Sequence, residues 1–161
     1  MNNISIRNAI LEDVTIIQNL NNDLFKLEKE NYDPTLVKDW AISNIGKLYF
    51  EDLINNHFVV VALLNDEIVG YLAGTINEKG SYENIQYGEI NNMFIKDGCR
   101  GYGVGKALVN GFKLYCKSND INNLMVTASA KNINAINFYK KNGFKDFNLT
   151  LTMNIKEENN E

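Results

Sequence analysis

The sequence predicts an α/β (α+β) fold, one mixed sheet with helices on its faces, in the order β-α-α-β-β-β-α-β-α-β. Three observations carry this. Stretches with apolar residues at every second position alternate with stretches where they recur three and four residues apart. A glycine-rich turn, Arg100-Gly101-Tyr102-Gly103-Val104-Gly105, joins a strand-like run to a helix-like one. The chain has 161 residues, 45% of them hydrophobic, one Pro and no low-complexity tract, which suits a single globular domain over residues 1–161.

Each element has its own signal. Ile4 to Asn8 alternates like a strand, and from Glu12 to about Lys29 the residues Val14, Ile17, Leu20, Leu24 and Leu27 make one apolar helical face. Asp33-Pro34 reads as an N-cap followed by Pro at the first helical position, opening a second helical region through Trp40 that Gly46 breaks before Leu48 to Ile54. Phe58 to Leu64 and Ile68 to Ile76 form a hairpin around Asn65-Asp66-Glu67. A polar loop, Asn77 to Gln86, leads to the strand Tyr87 to Ile95 and then to a helix, Val104 to Cys116, whose Val104, Ala107, Leu108, Gly111 and Tyr115 share a face. Leu124 to Ala128 is a strand, Asn134 to Lys141 a helix stopped by Asn142-Gly143. Phe147, Leu149, Leu151, Met153 and Ile155 alternate as a closing strand, so the core spans about residues 4–155 and the polar tail 156–161 is expected to fray.

Charge and cysteine usage exclude several function classes. A net charge of −4 with scattered basic residues argues against a nucleic-acid coat. Cys99 and Cys116 form no metal-ligand spacing, no apolar run approaches a membrane span, and no charged-then-apolar leader opens the chain. The expectation is a soluble cytoplasmic protein with no membrane or nucleic-acid partner and no metal. His57 has no nucleophile pattern around it, and Cys99 lacks a spaced His partner, so both read as incidental.

The turn at residues 100–105 carries the chemistry. Glycines between a strand and a helix permit positive φ and close approach of a ligand, and the free amides of the helix start attract an anion. Arg100 adds a fixed planar cation, and Lys106 lies within reach of a phosphate. A magnesium-nucleotide loop would need Gly at Arg100 and Ser or Thr at Ala107, and a dinucleotide fingerprint would need Gly at Lys106 or a small residue at Leu108. Both fail. Arg-x-x-Gly-x-Gly after a strand resembles instead the acyl-coenzyme A signature of the GNAT family of N-acetyltransferases. A second block, Asn132-Ile133-Asn134-Ala135-Ile136-Asn137-Phe138-Tyr139 through Gly143-Phe144, is similar to that family's N-x-x-A-I-x-F-Y-x-x-x-G-F stretch. Ile4 to Asp13 and Val59 to Tyr71 look like its early elements, so the likeness covers about residues 4–155.

The resemblance implies a central, mostly antiparallel mixed sheet and transfer of acetyl from acetyl-CoA to a primary amine by direct attack in a ternary complex. It implies pantetheine along a splayed edge at Met93, Phe94 and Ile95, and phosphates on Arg100, Gly101, Tyr102, Gly103, Val104, Gly105 and Lys106. Tyr139 becomes the candidate general acid, Glu89 the candidate base, and Asn132 a helix cap or a partner of the cofactor. The region between the first two helices, with Phe25, Glu28 and Tyr32, would shape the acceptor pocket, where acid plus aromatic suits a small cationic amine. A peptide N-terminus or lysine as acceptor, a non-catalytic acyl-CoA sensor and a nucleotide-binding regulator are the alternatives. Two departures stand out. Asp97 replaces a frequent Pro, with Gly98-Cys99 softening the loop. Only Gly143 to Ile155 remains for the family's two closing strands, so one is short, merged, or supplied by a partner in a homodimer.

Overall fold

A computed structural model of the chain describes residues 3–156; residues 157–161, most of the expected tail, lie outside the described residues. The elements are β1 (Ile4–Asn8), a 3-10 turn (Leu11–Asp13), α1 (Val14–Asn31), α2 (Asn44–Asn56), β2 (Phe58–Leu64), β3 (Glu67–Ile76), β4 (Tyr87–Ile95), α3 (Val104–Ser118), β5 (Asn123–Val126) and α4 (Ile133–Lys141). The five strands lie in chain order in one sheet, antiparallel except for the parallel pair β4–β5. The hairpin β2–β3 turns on Asn65 and Asp66, both at positive φ (51° and 68°), which Asn and Asp tolerate better than other side chains.

Alternation along β2 and β3 feeds two cores. Val60, Ala62 and Leu72 pack with Leu108 and Phe112 of α3, while Val61, Tyr71 and Ala73 pack with Ile17 and Leu20 of α1 and Phe50 of α2. Close approach of α3 is enforced at β3 and β4, since a Cβ at Gly74 would stand 2.5 Å from the Phe112 ring and one at Gly88 would stand 2.4 Å from the Cys116 sulfur. Burial pushes the Cys116 thiol up to about 11. At the entry to α1, Arg7 donates to both carboxylate oxygens of buried Asp13, at 2.7 and 3.0 Å, and Asp13 also accepts from the Ile10 amide. No helix among the described residues is long and apolar enough to cross a membrane.

Four expectations are corrected. Asp33-Pro34 does not open a helix; the Asp33 carboxylate instead accepts from the Thr35 amide in a local turn, and α2 begins at Asn44, capped by Ser43, whose hydroxyl accepts from the Gly46 amide. Gly46 lies inside α2 rather than breaking it, because a Cβ there would stand 2.3 Å from the Ala41 carbonyl. The buried face of α3 is Val104, Leu108, Val109, Phe112 and Cys116, rotated from the expected stripe so that Ala107, Gly111 and Tyr115 flank it. The closing strand does not form: Phe147, Leu149, Leu151, Met153 and Ile155 are 73–83% exposed, and no strand among the described residues pairs with them. The order otherwise follows the sequence expectation.

Candidate active site

The sheet opens between β4 and β5. Register runs from Tyr87↔Asn123 to Ile90↔Val126 and stops, so Asn91 to Ile95 of β4 have no neighbour on that side. An extra residue at Asn91 adds to the break, because Ala73 faces Asn92 while Gly74 faces Ile90. Past this bulge Met93 and Ile95 turn to the α3 core, and Phe94 turns to the α1–α2 core. Met93, Phe94 and Ile95, where a splay is expected, lie on this stretch of β4 beyond the end of its pairing with β5.

The cradle sits where β4 ends. Gly101 and Gly103 adopt φ of 86° and 87°, and a Cβ on either would meet nothing within 4 Å, so both glycines are required by backbone rather than by crowding. Gly103 begins α3 with no side-chain cap, which leaves the first-turn amides of Val104, Gly105 and Lys106 facing the loop. Arg100 lies along the end of β4: its Nε donates to the Ile95 carbonyl at 3.1 Å, Nη2 is 3.3 Å from Asp97, and the guanidinium carbon is 5.3 Å from the Phe94 ring centre. Tyr102 is half exposed beside it, and Lys106 points to solvent from the first turn of α3.

Helix α4 is docked against this cradle. A Cβ on Gly105 would stand 2.9 Å from the Phe138 ring, so the absence of a side chain there lets α4 approach α3. Asn132 caps α4, its Oδ1 accepting from the Ala135 amide at 3.1 Å, which settles its structural role. Tyr139, one residue after Phe138, packs edge-on to Phe138 and Phe144. Burial first, and the charge of Glu28 second, push the Tyr139 hydroxyl up to about 12.

That coupling brings α1 into the site. The inward stripe of α1 carries Asn21, which donates to the buried Tyr71 hydroxyl at 2.7 Å, and two turns on Glu28. Glu28 is raised by burial and by repulsion from Asp33. Phe25 stacks on Trp40 at 5.7 Å, and the Trp40 edge meets Tyr49. An open hollow of about 290 Å³ lies outside this aromatic wall, lined by Phe25, Thr35, Leu36, Val37 and Trp40; Tyr139 does not line it. Tyr32 ends α1, its amide donating to the Glu28 carbonyl, and its ring joins neither core cluster.

Glu89 lies farther along β4, opposite Thr75, and accepts from Asn77 Nδ2 at 2.7 Å. Burial and the Glu89 charge both raise Tyr49, whose hydroxyl accepts from Asn92 Nδ2 at 3.4 Å. The Asn92 Oδ1 and Asn21 Oδ1 atoms are buried without a partner. Sequence reading missed Tyr49, Asn92 and Asn21. A signal for Asn92 existed, since two consecutive Asn inside a strand are disfavoured and mark an irregularity. Among the described residues no cluster of metal-binding side chains occurs.

Comparison with known proteins agrees with this architecture. The model of the acetyltransferase (GNAT) family matches residues 17–144. An uncharacterized N-acetyltransferase of Methanocaldococcus jannaschii is 31% identical over 111 residues, 68% of this chain; the chain spans about half, 47%, of that relative's length. A predicted acetyltransferase of Clostridium acetobutylicum, solved with acetyl-CoA, superposes with a TM-score of 0.72 at 21% identity over 98% of this chain and 99% of its own. An aminoglycoside N-acetyltransferase, AAC(6')-Iy, solved with CoA, gives 0.76 at 13% identity over 96% and 95%. A transcriptional regulator of Bacillus halodurans gives 0.74 at 21% identity over 94% and 99%. At such identities these solved structures establish the common fold.

Proposed function

Because the chain belongs to the acetyltransferase (GNAT) family, we propose that it is an acetyl-CoA-dependent N-acetyltransferase acting on a small cationic primary amine. The observation that carries this reading is the end of β4–β5 pairing at Ile90 and Val126, beside an uncapped helix start and the half-buried Tyr139. An extended amide-bearing ligand can add to the freed main chain of Met93, Phe94 and Ile95 as a strand would. The cradle fits the pyrophosphate: its glycines leave the approach open, its helix-start amides are unclaimed by a cap, and Arg100 and Lys106 supply positive charge.

In the ternary complex the amine nitrogen attacks the thioester carbonyl, a C–N bond forms, the C–S bond breaks, and the amine loses a proton. Bringing the two together supplies much of the rate. Main-chain N–H groups of the freed β4 edge stabilise the carbonyl oxygen as it gains charge. Tyr139, held protonated through neutral and alkaline pH, donates to the departing sulfur; a free thiol titrates near ~8.5, so the hydrogen bond does more than full proton transfer. The acceptor enters from the α1–α2 side, where the Glu28 carboxylate draws an ammonium group and Phe25, Trp40 and Tyr49 give it an aromatic wall. Glu89, anchored by Asn77, relays the released proton through water.

The test is thiol release from acetyl-CoA across a panel of small amines, aminoglycosides and peptides. Release with small polyamines above the hydrolytic background supports the reading. Release with peptides alone would favour protein acetylation, and binding of acetyl-CoA with no release for any acceptor would favour an acyl-CoA sensor.

A further inference from the structure

The segment between α1 and α2 is neither helix nor strand, yet it is held in place. Lys29 Nζ donates to the Pro34 and Leu36 carbonyls at 2.8 and 2.6 Å, and buried Gln18 donates to the Ala41 and Ser43 carbonyls at 2.9 and 3.3 Å. Helix α1 thus fixes both ends of the segment. What the segment presents is the hollow of about 290 Å³ walled by Phe25, Leu36, Val37 and Trp40. Val37 is 66% exposed, so this apolar wall faces open space rather than a core. The one polar liner, Thr35, already donates its hydroxyl to the Asp33 carboxylate. Roughly 300 Å³ is the lower end of the range for small-molecule pockets, enough for a ring or a short alkyl chain. Charge differs between the two ends of the hollow. Glu28 follows Phe25 by one turn of α1; the Asp33 charge is felt at Glu28, and the Glu28 charge at Tyr139. At the other end Lys26, Lys29 and Lys38 stand with one acid, Asp39, around Phe25 and Val37.

Resting on the acetyl-transfer reading above, we propose that the acceptor is an arylalkylamine, a primary monoamine joined by a short linker to an apolar ring, with its ammonium at Glu28 and its ring in the hollow against Phe25, Val37 and Trp40. Residues three apart on a helix set their Cβ atoms about 5–6 Å apart, which a linker of about two or three carbons spans. The carboxylate end draws the ammonium, and the Phe25–Trp40 pair offers aromatic faces to the ring. A second ammonium at the far end would meet the lysines. The hydroxyls of an aminoglycoside would lose their water there and find no free side-chain donor. In the transfer the ammonium gives one proton to water before attack, the C–N bond forms as the C–S bond breaks, and the second proton ends on the sulfur. The products are an N-acetylated arylalkylamine and coenzyme A as its thiol.

Thiol release from acetyl-CoA decides it, measured with 2-phenylethylamine, ethylamine, spermidine and an aminoglycoside. 2-Phenylethylamine should exceed each of the others in kcat/KM by at least about tenfold. A ratio near one against ethylamine, or a higher value for spermidine or the aminoglycoside, would overturn the proposal and leave acetyl transfer standing. Val37→Asn, at an exposed position away from the reacting groups, should cut the advantage over ethylamine by about threefold or more and leave ethylamine turnover unchanged. An undiminished advantage would place the ring elsewhere and overturn the proposal too. Trp40 is the only tryptophan of the chain, so its emission reports on the hollow without any chemistry. With saturating coenzyme A, 2-phenylethylamine should move that emission to shorter wavelength as the ring displaces water, and ethylamine should not. Ordinary thiol release with no such shift would reject the hollow alone. A shift with no thiol release from any amine would reject acetyl transfer, and with it the amine as acceptor, but keep the hollow as a site for the ring.

Discussion

At the residue scale, the site rests on how burial and charge act on two side chains. Tyr139 is a donor because desolvation and the Glu28 charge hold its proton. Tyr139→Phe should therefore lower kcat by about 100-fold, while KM for acetyl-CoA changes less than about twofold; an unchanged kcat would remove the hydroxyl from the chemistry. Glu28 carries the opposite strain. Its pKa in the folded chain is raised, so its charge costs stability at neutral pH, and that cost vanishes at pH values below its ordinary 4.5, where both states are protonated. Glu28→Gln should raise the melting temperature at pH 7 and leave it unchanged at pH 3, and should raise KM for a cationic amine about tenfold, ~1.4 kcal/mol of lost pairing. Tyr139 and the cradle glycines were legible because they fall in short local motifs. Tyr49, Asn21 and Asn92 were not, because what assembles them is packing between α1, α2 and β4, which no local pattern records.

At the element scale, the sequence places most strands and helices within a residue or two, since period-two and helical spacing are local properties. The misses have physical causes. The second helix was drawn too early because Asp33-Pro34 has the residue types of a helix start, but the Asp33 side chain closes a two-residue turn instead. Gly46 looked like a breaker and is a contact. Strand β5 ends two residues before the expected Ala128, and that early end is what opens the sheet. The start of α1 offers a test with a defined sign. Hydrogen bonds from Arg7, then from the Ile10 amide, hold buried Asp13 below its ordinary 3.8 against the cost of burial, so its contribution is complete above that value and is lost as pH falls through the folded pKa. Asp13→Ala should cost about 1–3 kcal/mol in urea melts at pH 7, and the gap from wild type should narrow by pH 3. An equal gap at both pH values would show packing, not the carboxylate, to be what matters.

At the scale of the whole molecule, ligand and fold are linked. Acetyl-CoA at ~100 times its dissociation constant should add roughly 2.7 kcal/mol, a rise of about 5–10 °C in Tm for a domain of this size. Arg100→Glu should cancel most of that rise; if it does not, Arg100 stays with Ile95 and Asp97 and takes no part in binding. The closing strand was read correctly as a pattern and wrongly as a finished element, because alternation shows that a segment wants a sheet without showing whose. The chain has two cysteines, of which Cys116 lies sealed beneath Gly88 with its thiol pushed up to about 11, while Cys99 lies partly open just before the cradle. A maleimide dye would therefore tag one sulfur quickly and the second only when the whole domain opens, so the slow tagging phase is an internal clock for global unfolding that needs no engineered probe.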